Sequence, residues 1–370
     1  MANPQVWFLG KDLFDLGYVA SIPEINETKG LSRSTVAPSD FSISLKNFDN
    51  TFSEDNPRSI LNNVKWLYSP VLVNDSEGIT IINGIAKDLP CDDKSKTATL
   101  EGSDTLFQNR KTSIAYASSA WETPADVLIN IFAQESFTDF NNASLLKSQA
   151  KQSSEGLDLK VNFLKSDNMT LFDILEKMCV YGCADAWTHL GKVYYQHWQP
   201  FTGGVSFTVE YSESETCPMS AVTISRFESD LLNEYYISYT GDGNVPATDT
   251  DNNSIGAASR TVYGTLQWED LRSESATNQQ IALQDLTAAV YLGECRIKRC
   301  HRDLSTYPRP LRMVEHDISV RYKDLINIGT YYRIINAEQG WTSPGKIFEV
   351  YEYTRNEDTQ VINLKSLEVE

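Results

Sequence analysis

In the stretch SDFSISLKNFDNTFS, residues 39–53, Phe41, Ile43 and Leu45 alternate with Ser42, Ser44 and Lys46. A period of two gives one apolar and one polar face, the pattern of a half-buried β-strand. Asn47, Asp49 and Asn50 follow, and short side chains of this kind bond their own backbone in turns. Phe52 then returns to the apolar phase. The stretch reads as a strand, a tight turn and a core anchor.

The same texture extends on both sides. Residues 1–105 predict strands near 5–9, 17–25, 40–46, 66–73, 79–87 and 96–102, separated by Gly, Pro, Asn and Asp clusters. Short strands at such spacing suggest a barrel or sandwich. From 106 to 204 helices enter. Thr123-Pro124 is a helix start, with Thr123 as N-cap and Pro124 at the first helical position. Val127, Leu128, Ile131 and Phe132 form its apolar stripe. A second helix is predicted over 170–181, with Leu171, Ile174, Leu175 and Met178 inward and Gly182 as the stop. Ala186 to Tyr195 then read as a β-hairpin turning at Gly191-Lys192.

From 205 to 314 the β pattern returns at 205–209, 221–225 and 234–239, followed by a polar loop at 241–259. Asp249, Asp251 and Asn253 mimic the start of a calcium loop, but Ser254 and Arg260 stand where Gly and Glu are needed, so no such site is expected. Residues 276–292 are rich in Ala, Leu and Gln and predict a helix ended by Gly293. A closing β segment, 315–370, alternates at Ile318 to Tyr322 and predicts strands near 331–338, 346–355 and 360–368.

Three features of this order resemble one family. They are Asp40, Asn47, Asp49, Phe52, Ser53 and the later Gly84-Ile85; the helix start Thr170, Asp173, Leu175 leading to the Gly191-Lys192 turn; and Tyr263-Gly264, an Ala-rich helix, and Lys323 to Gly329 before a strand. The chain resembles the bacteriophage tail hub, or baseplate hub, of T4 type, over nearly its whole length. The resemblance implies a mainly β fold: two tail-tube-like β-barrel or sandwich domains plus smaller α/β domains. It implies a structural protein of the virion tail tip, made in the host cytoplasm. Such a homotrimer adapts the sixfold tube to a threefold spike or fibre. Its partners would be itself, the distal tail or tail tube protein, the tape measure protein and the spike or fibre, with DNA passing through. The alternatives are a sixfold distal tail ring component and a host-surface carbohydrate-binding tail module.

The bulk properties fit such a protein. Of the 370 residues 41% are hydrophobic and 22% charged, an ordinary globular composition. No apolar run is long enough for a transmembrane helix, and the N-terminus has no secretion-signal pattern. The net charge of −18 repels phosphate backbones, so specific DNA binding is not expected. Residues 296–323 run the other way, with eight Lys/Arg against three Asp/Glu. Within them Arg296, Lys298, Arg299 and Arg302 are a candidate intersubunit contact with an acidic surface, or a solvated face.

A search for chemistry returns little. The four histidines (His189, His197, His301, His316) have no nucleophile or acid at a telling spacing, and no nucleophile elbow, phosphate loop or metalloprotease helix is present. Neither an enzyme nor a cofactor is expected. Cys179 and Cys183 with Cys295 and Cys300 admit a metal cluster, although free buried thiols are the simpler reading. Trp187, Tyr194, Tyr195 and Trp198 fall on one hairpin as a possible aromatic contact surface. Tyrosines also fill β faces, being apolar at one end and polar at the other.

Overall fold

The computed structural model describes residues 4–21, 24–29, 36–75, 77–104, 106, 113–118, 121–154, 159–163, 169–198, 201, 203–211, 222–226, 234–237, 251–254, 267–268, 281–283, 312–319, 324–356 and 361–369. The chain is mainly β, with large antiparallel sheets and smaller α/β parts.

The opening stretch folds as its pattern dictates. Asp40–Lys46 is a strand with Phe41, Ile43 and Leu45 buried, each burial stabilising by about 1.5–3 kcal/mol. Asn47, itself buried, accepts the backbone N–H of Phe52 on Oδ1 at 3.0 Å, while Asp49 and Asn50 take positive φ values of 59° and 55°. That turn drives Phe52 into the core, edge-on to Tyr18. Around it Gln5–Phe8, Pro70–Asn74, Thr80–Asp88 and Thr97–Asp104 close an N-terminal β core of Val6, Phe8, Leu13, Val71, Val73 and Leu100 among others.

A second core is helical. The helices α1 (Pro124–Gln134), α2 (Asn142–Gln152) and α3 (Leu171–Tyr181) pack on the hairpin Ala184–His189/Lys192–His197. Both α1 and α3 begin with capping boxes. Asp126 N–H donates to Thr123 Oγ1 at 3.1 Å, and Asp173 N–H donates to Thr170 Oγ1 at 3.1 Å. Gly182 ends α3 where a side chain has no room: a Cβ there would collide with the Tyr195 hydroxyl and the Gln152 amide.

A third core lies in the C-terminal β region. Arg312–Ser319, Tyr331–Asn336, Trp341–Asn356 and Val361–Glu368 supply most of it, with Val314, Ile334, Phe348, Val350 and Leu364 buried. Phe207–Glu210 adds to its edge, pairing in parallel with Tyr331–Asn336.

The two β cores share one continuous sheet. Glu24–Thr28 is the splice: it pairs antiparallel with Asp40–Lys46 on one side and with Trp341–Asn356 on the other.

Several expectations are corrected. Residues near 17–25 form a Gly17 turn and a bridge at Val19 before the strand starts at Glu24, because Gly17 sits at φ +73°. The helix α2 was not anticipated, since its inward stripe of Leu145, Ser148 and Gln152 is mostly polar. Of the helix expected over 276–292, the described residues Ile281–Leu283 form a strand paired with Val161–Phe163, tertiary pairing overriding local propensity. Within the expected polar loop, Asp251–Ser254 is a strand paired with Glu234–Ile237. Tyr263-Gly264 and the remainder of both segments lie outside the described residues.

Candidate functional site at the meeting of the three cores

The hairpin strand Ala184–His189 is buried at every residue and presents different chemistry on its two faces. Ala184 and Ala186 face the helical core. Asp185, Trp187 and His189 face the splice strand and the C-terminal sheet, and their cross-strand partners are Gln196, Tyr194 and Lys192. This second face is a seam of ionisable groups.

Lys29, just past the splice strand, is 3% exposed. Its Nζ lies 3.1 Å from Asp185 Oδ2 and 2.7 Å from Glu349 Oε1. The ammonium also sits over the rings of Trp187 and Tyr351, 5.4 and 5.6 Å from their centroids. One cation thus ties together the splice segment, the hairpin and the C-terminal sheet. A β-bulge between Val350 and Glu352 re-aims the C-terminal strand here.

Two residues earlier, Glu27 makes a second tie. Its Oε2 is 2.6 Å from His189 Nδ1 and accepts the Tyr353 hydroxyl at 2.6 Å, while Oε1 accepts the Leu190 N–H at 3.3 Å. Since the carboxylate accepts, Nδ1 carries the proton. Burial, then the charge of Glu27, pushes the Tyr353 hydroxyl well above the ordinary phenol range. A third tie runs to the N-terminal sheet, where Asp104 Oδ2 accepts the Thr188 hydroxyl and the Ser39 N–H.

Beside Glu27 is a void of about 20 Å³, also lined by Asp104 and Thr188. Its volume has room for about one water molecule and is too small for a substrate. At the other end of the seam a cleft of about 250 Å³ is lined by Trp198, Phe201 and Tyr331, with Lys29 and Glu349 reaching it and Lys147 nearby. Among the described residues the void beside the His–Glu–Tyr cluster is too small for a substrate, and the geometry of the cluster is that of a tie between elements.

The four hairpin aromatics do not form one surface. Trp187 is buried in the C-terminal core, stacked at 5.6 Å on the half-buried Tyr194. Tyr195 is buried in the helical core, donating to Met178 O at 2.9 Å, and Trp198 is half-buried against that same core. Alternation sends neighbours to opposite faces, so a cluster in sequence is split in space. Burial raises the Tyr195 hydroxyl well above its usual range. Arg296, Lys298, Arg299 and Arg302 lie outside the described residues, as do Cys295 and Cys300. Cys179 and Cys183 are buried in the helical core. Among the described residues no three His, Cys, Asp or Glu are placed to hold a metal, and no helix is long and apolar enough to cross a membrane.

Solved structures decide the fold. A 43 kDa tail protein of prophage MuSo2 from Shewanella oneidensis superposes with a TM-score of 0.62 at 12% identity, covering 99% of this chain and 98% of its own. The chain has the fold of phage tail proteins. A tail protein from Neisseria meningitidis MC58 gives 0.60 at 11% identity, covering 99% of this chain and 96% of that one. Prophage tail protein gp18 from Listeria monocytogenes EGD-e gives 0.56 at 10% identity, covering 99% and 94%. No protein-family model matches the sequence, and no curated protein matches it. The tail-protein fold accounts for the spliced sheet and the helical unit together, since each superposition spans nearly the whole chain.

Proposed function

We propose that this chain is a structural hub at the tip of a phage tail. One observation carries the reading: the likeness to prophage tail proteins covers 99% of this chain and 94–98% of theirs. The N-terminal and C-terminal β cores, joined by the splice strand, are proposed as the two tube-like units of each copy. The smaller parts are proposed at residues 106–204 and 205–314, the second also giving Phe207–Glu210 to the C-terminal core. Three copies then present six β units to a sixfold tail tube on one side and a threefold spike or fibre on the other. The distal tail or tube protein, the tape measure protein and the spike or fibre are the proposed partners. The net charge of −18 suits a channel wall along which DNA slides without sticking. The role is mechanical, not enzymatic.

The test is mass by light scattering on purified protein, followed by particle class averages. A trimer with a central channel and pseudo-sixfold outline is the expected result. A hexamer instead favours a distal tail ring. Copies are proposed to meet through Arg296, Lys298, Arg299 and Arg302, so reversing these four charges is expected to shift the trimer toward monomer. An unchanged assembly removes that contact from the proposal.

A further inference from the structure

We propose that the seam is a working joint: the helix–hairpin unit is a hinged body that parts from the spliced sheet as a unit, with the Lys29 ion cluster as its catch. This inference stands apart from the oligomeric state and rests on the junction alone.

Each side of the seam is closed by its own apolar core, Leu128, Ile131, Leu175 and Met178 on one side and Phe348, Val350 and Leu364 on the other. What lies between is different in kind. Glu27, Lys29, Asp185, His189 and Glu349 are all buried, and all are ionisable. Permanent contacts are apolar through their centre, whereas contacts between separable bodies are more polar. A buried ion pair gains little over an apolar one, because both ions leave water to form it, and both recover their hydration when it opens. Such a seam fixes one orientation when shut and is cheap to open.

Two further observations agree. Trp187 is the main apolar anchor that crosses the seam, yet its indole Nε1 meets no acceptor among the described residues. A permanently buried tryptophan usually finds one. The catch is also within reach of solvent, since Lys29 and Glu349 both line the 250 Å³ cleft. The charge balance sets the direction. Lys29 faces two carboxylates, so removing its charge takes from Asp185 and Glu349 the cation they share.

Carboxyl footprinting of the full chain by carbodiimide coupling and mass spectrometry tests this. Glu368, wholly buried in the C-terminal sheet, is the control. In Lys29→Met, labelling of Glu27, Asp185 and Glu349 is expected to rise at least about tenfold, a modest share of what breaking a buried ion pair costs. Glu368 stays at the wild-type level. In the triple variant Lys29→Met, Asp185→Asn, Glu349→Gln the two carboxylates that paired with Lys29 are neutral, and Glu27 returns to wild-type labelling. Should the variants not fold, the wild type in rising urea gives the answer: the seam carboxylates are labelled at lower urea than Glu368. Unchanged labelling in Lys29→Met overturns the proposal. So does labelling of seam and control together, in the variant or in urea, because that describes one cooperative core.

Discussion

The two faces of the strand Ala184–His189 are separated by the thickness of one backbone and obey different rules. On the face with Ala184 and Ala186, small apolar side chains let α3 lie close, and the packing there is continuous. On the face with Asp185, Trp187 and His189, the Lys29 ion pair and the Glu27–His189 contact do the joining, with Trp187 buried in the C-terminal core. The apolar face holds for any well-filled arrangement of similar volume. The ionic face holds for one geometry only, since an ion pair displaced by a few ångströms leaves buried charge uncompensated. Cohesion within a unit and orientation between units are thus assigned to opposite sides of a single strand.

Substitutions behind each face sharpen this contrast. The largest effect is expected from Leu175→Ala, which empties wholly buried volume in the helical core. It should lower unfolding free energy by about 2–5 kcal/mol, read from urea denaturation, and a loss below about 1 kcal/mol would mean that this core collapses to fill the space.

A buried polar group outside the seam gives the next effect. In the C-terminal core His316 Nε2 is 2.8 Å from the Tyr332 hydroxyl, which donates to Ser366 Oγ at 2.9 Å. Nδ1 has no partner among the described residues. Burial lowers the His316 pKa from 6.5 to about 4. Between those values the unfolded chain binds a proton that the folded chain refuses, so stability falls as pH falls. The wild type should lose about 3 kcal/mol more than His316→Gln between pH 7 and pH 4. Equal pH dependence of the two urea midpoints would place the acid sensitivity elsewhere.

The smallest effect belongs to an ion pair with ready access to water. Lys365 Nζ is 2.6 Å from Glu352 Oε1 with both side chains partly exposed, and that hydrogen bond raises the Lys365 pKa. Lys365→Met is expected to cost less than about 1 kcal/mol. A larger loss in thermal unfolding would show that partial exposure does not weaken pairs in this sheet, and the distinction drawn for Lys29 would lose its basis.

Local pattern carried much of the architecture. The alternation of Phe41, Ile43 and Leu45 and the caps at Thr123 and Thr170 are short-range signals, and the structure follows them. The seam was invisible for the converse reason. Glu27 and His189 are 162 residues apart, and Lys29 and Glu349 are 320 apart. A lysine after an acidic strand reads as solvated until the sheet that covers it is known. His189 gave no signal because its partner acid comes from another unit. The helix α2 hid its inward face in Ser148 and Gln152, which bond the Tyr195 carbonyl and hydroxyl instead of packing as hydrocarbon.

The splice strand has a consequence in time. At elongation rates of about 5–20 residues per second, the N-terminal sheet can assemble while the growing chain still lacks the partner that Ile25 to Thr28 will meet at Glu352 to Arg355. For roughly 16–65 s one β edge stays open on a nascent chain. Glu27 stands in that edge, opposite Tyr353 in the finished sheet, and charge on a waiting strand is how natural sheets discourage the wrong neighbour. The residue that ties the seam to His189 in the finished fold is thus also the charge that the open edge carries until its partner strand arrives.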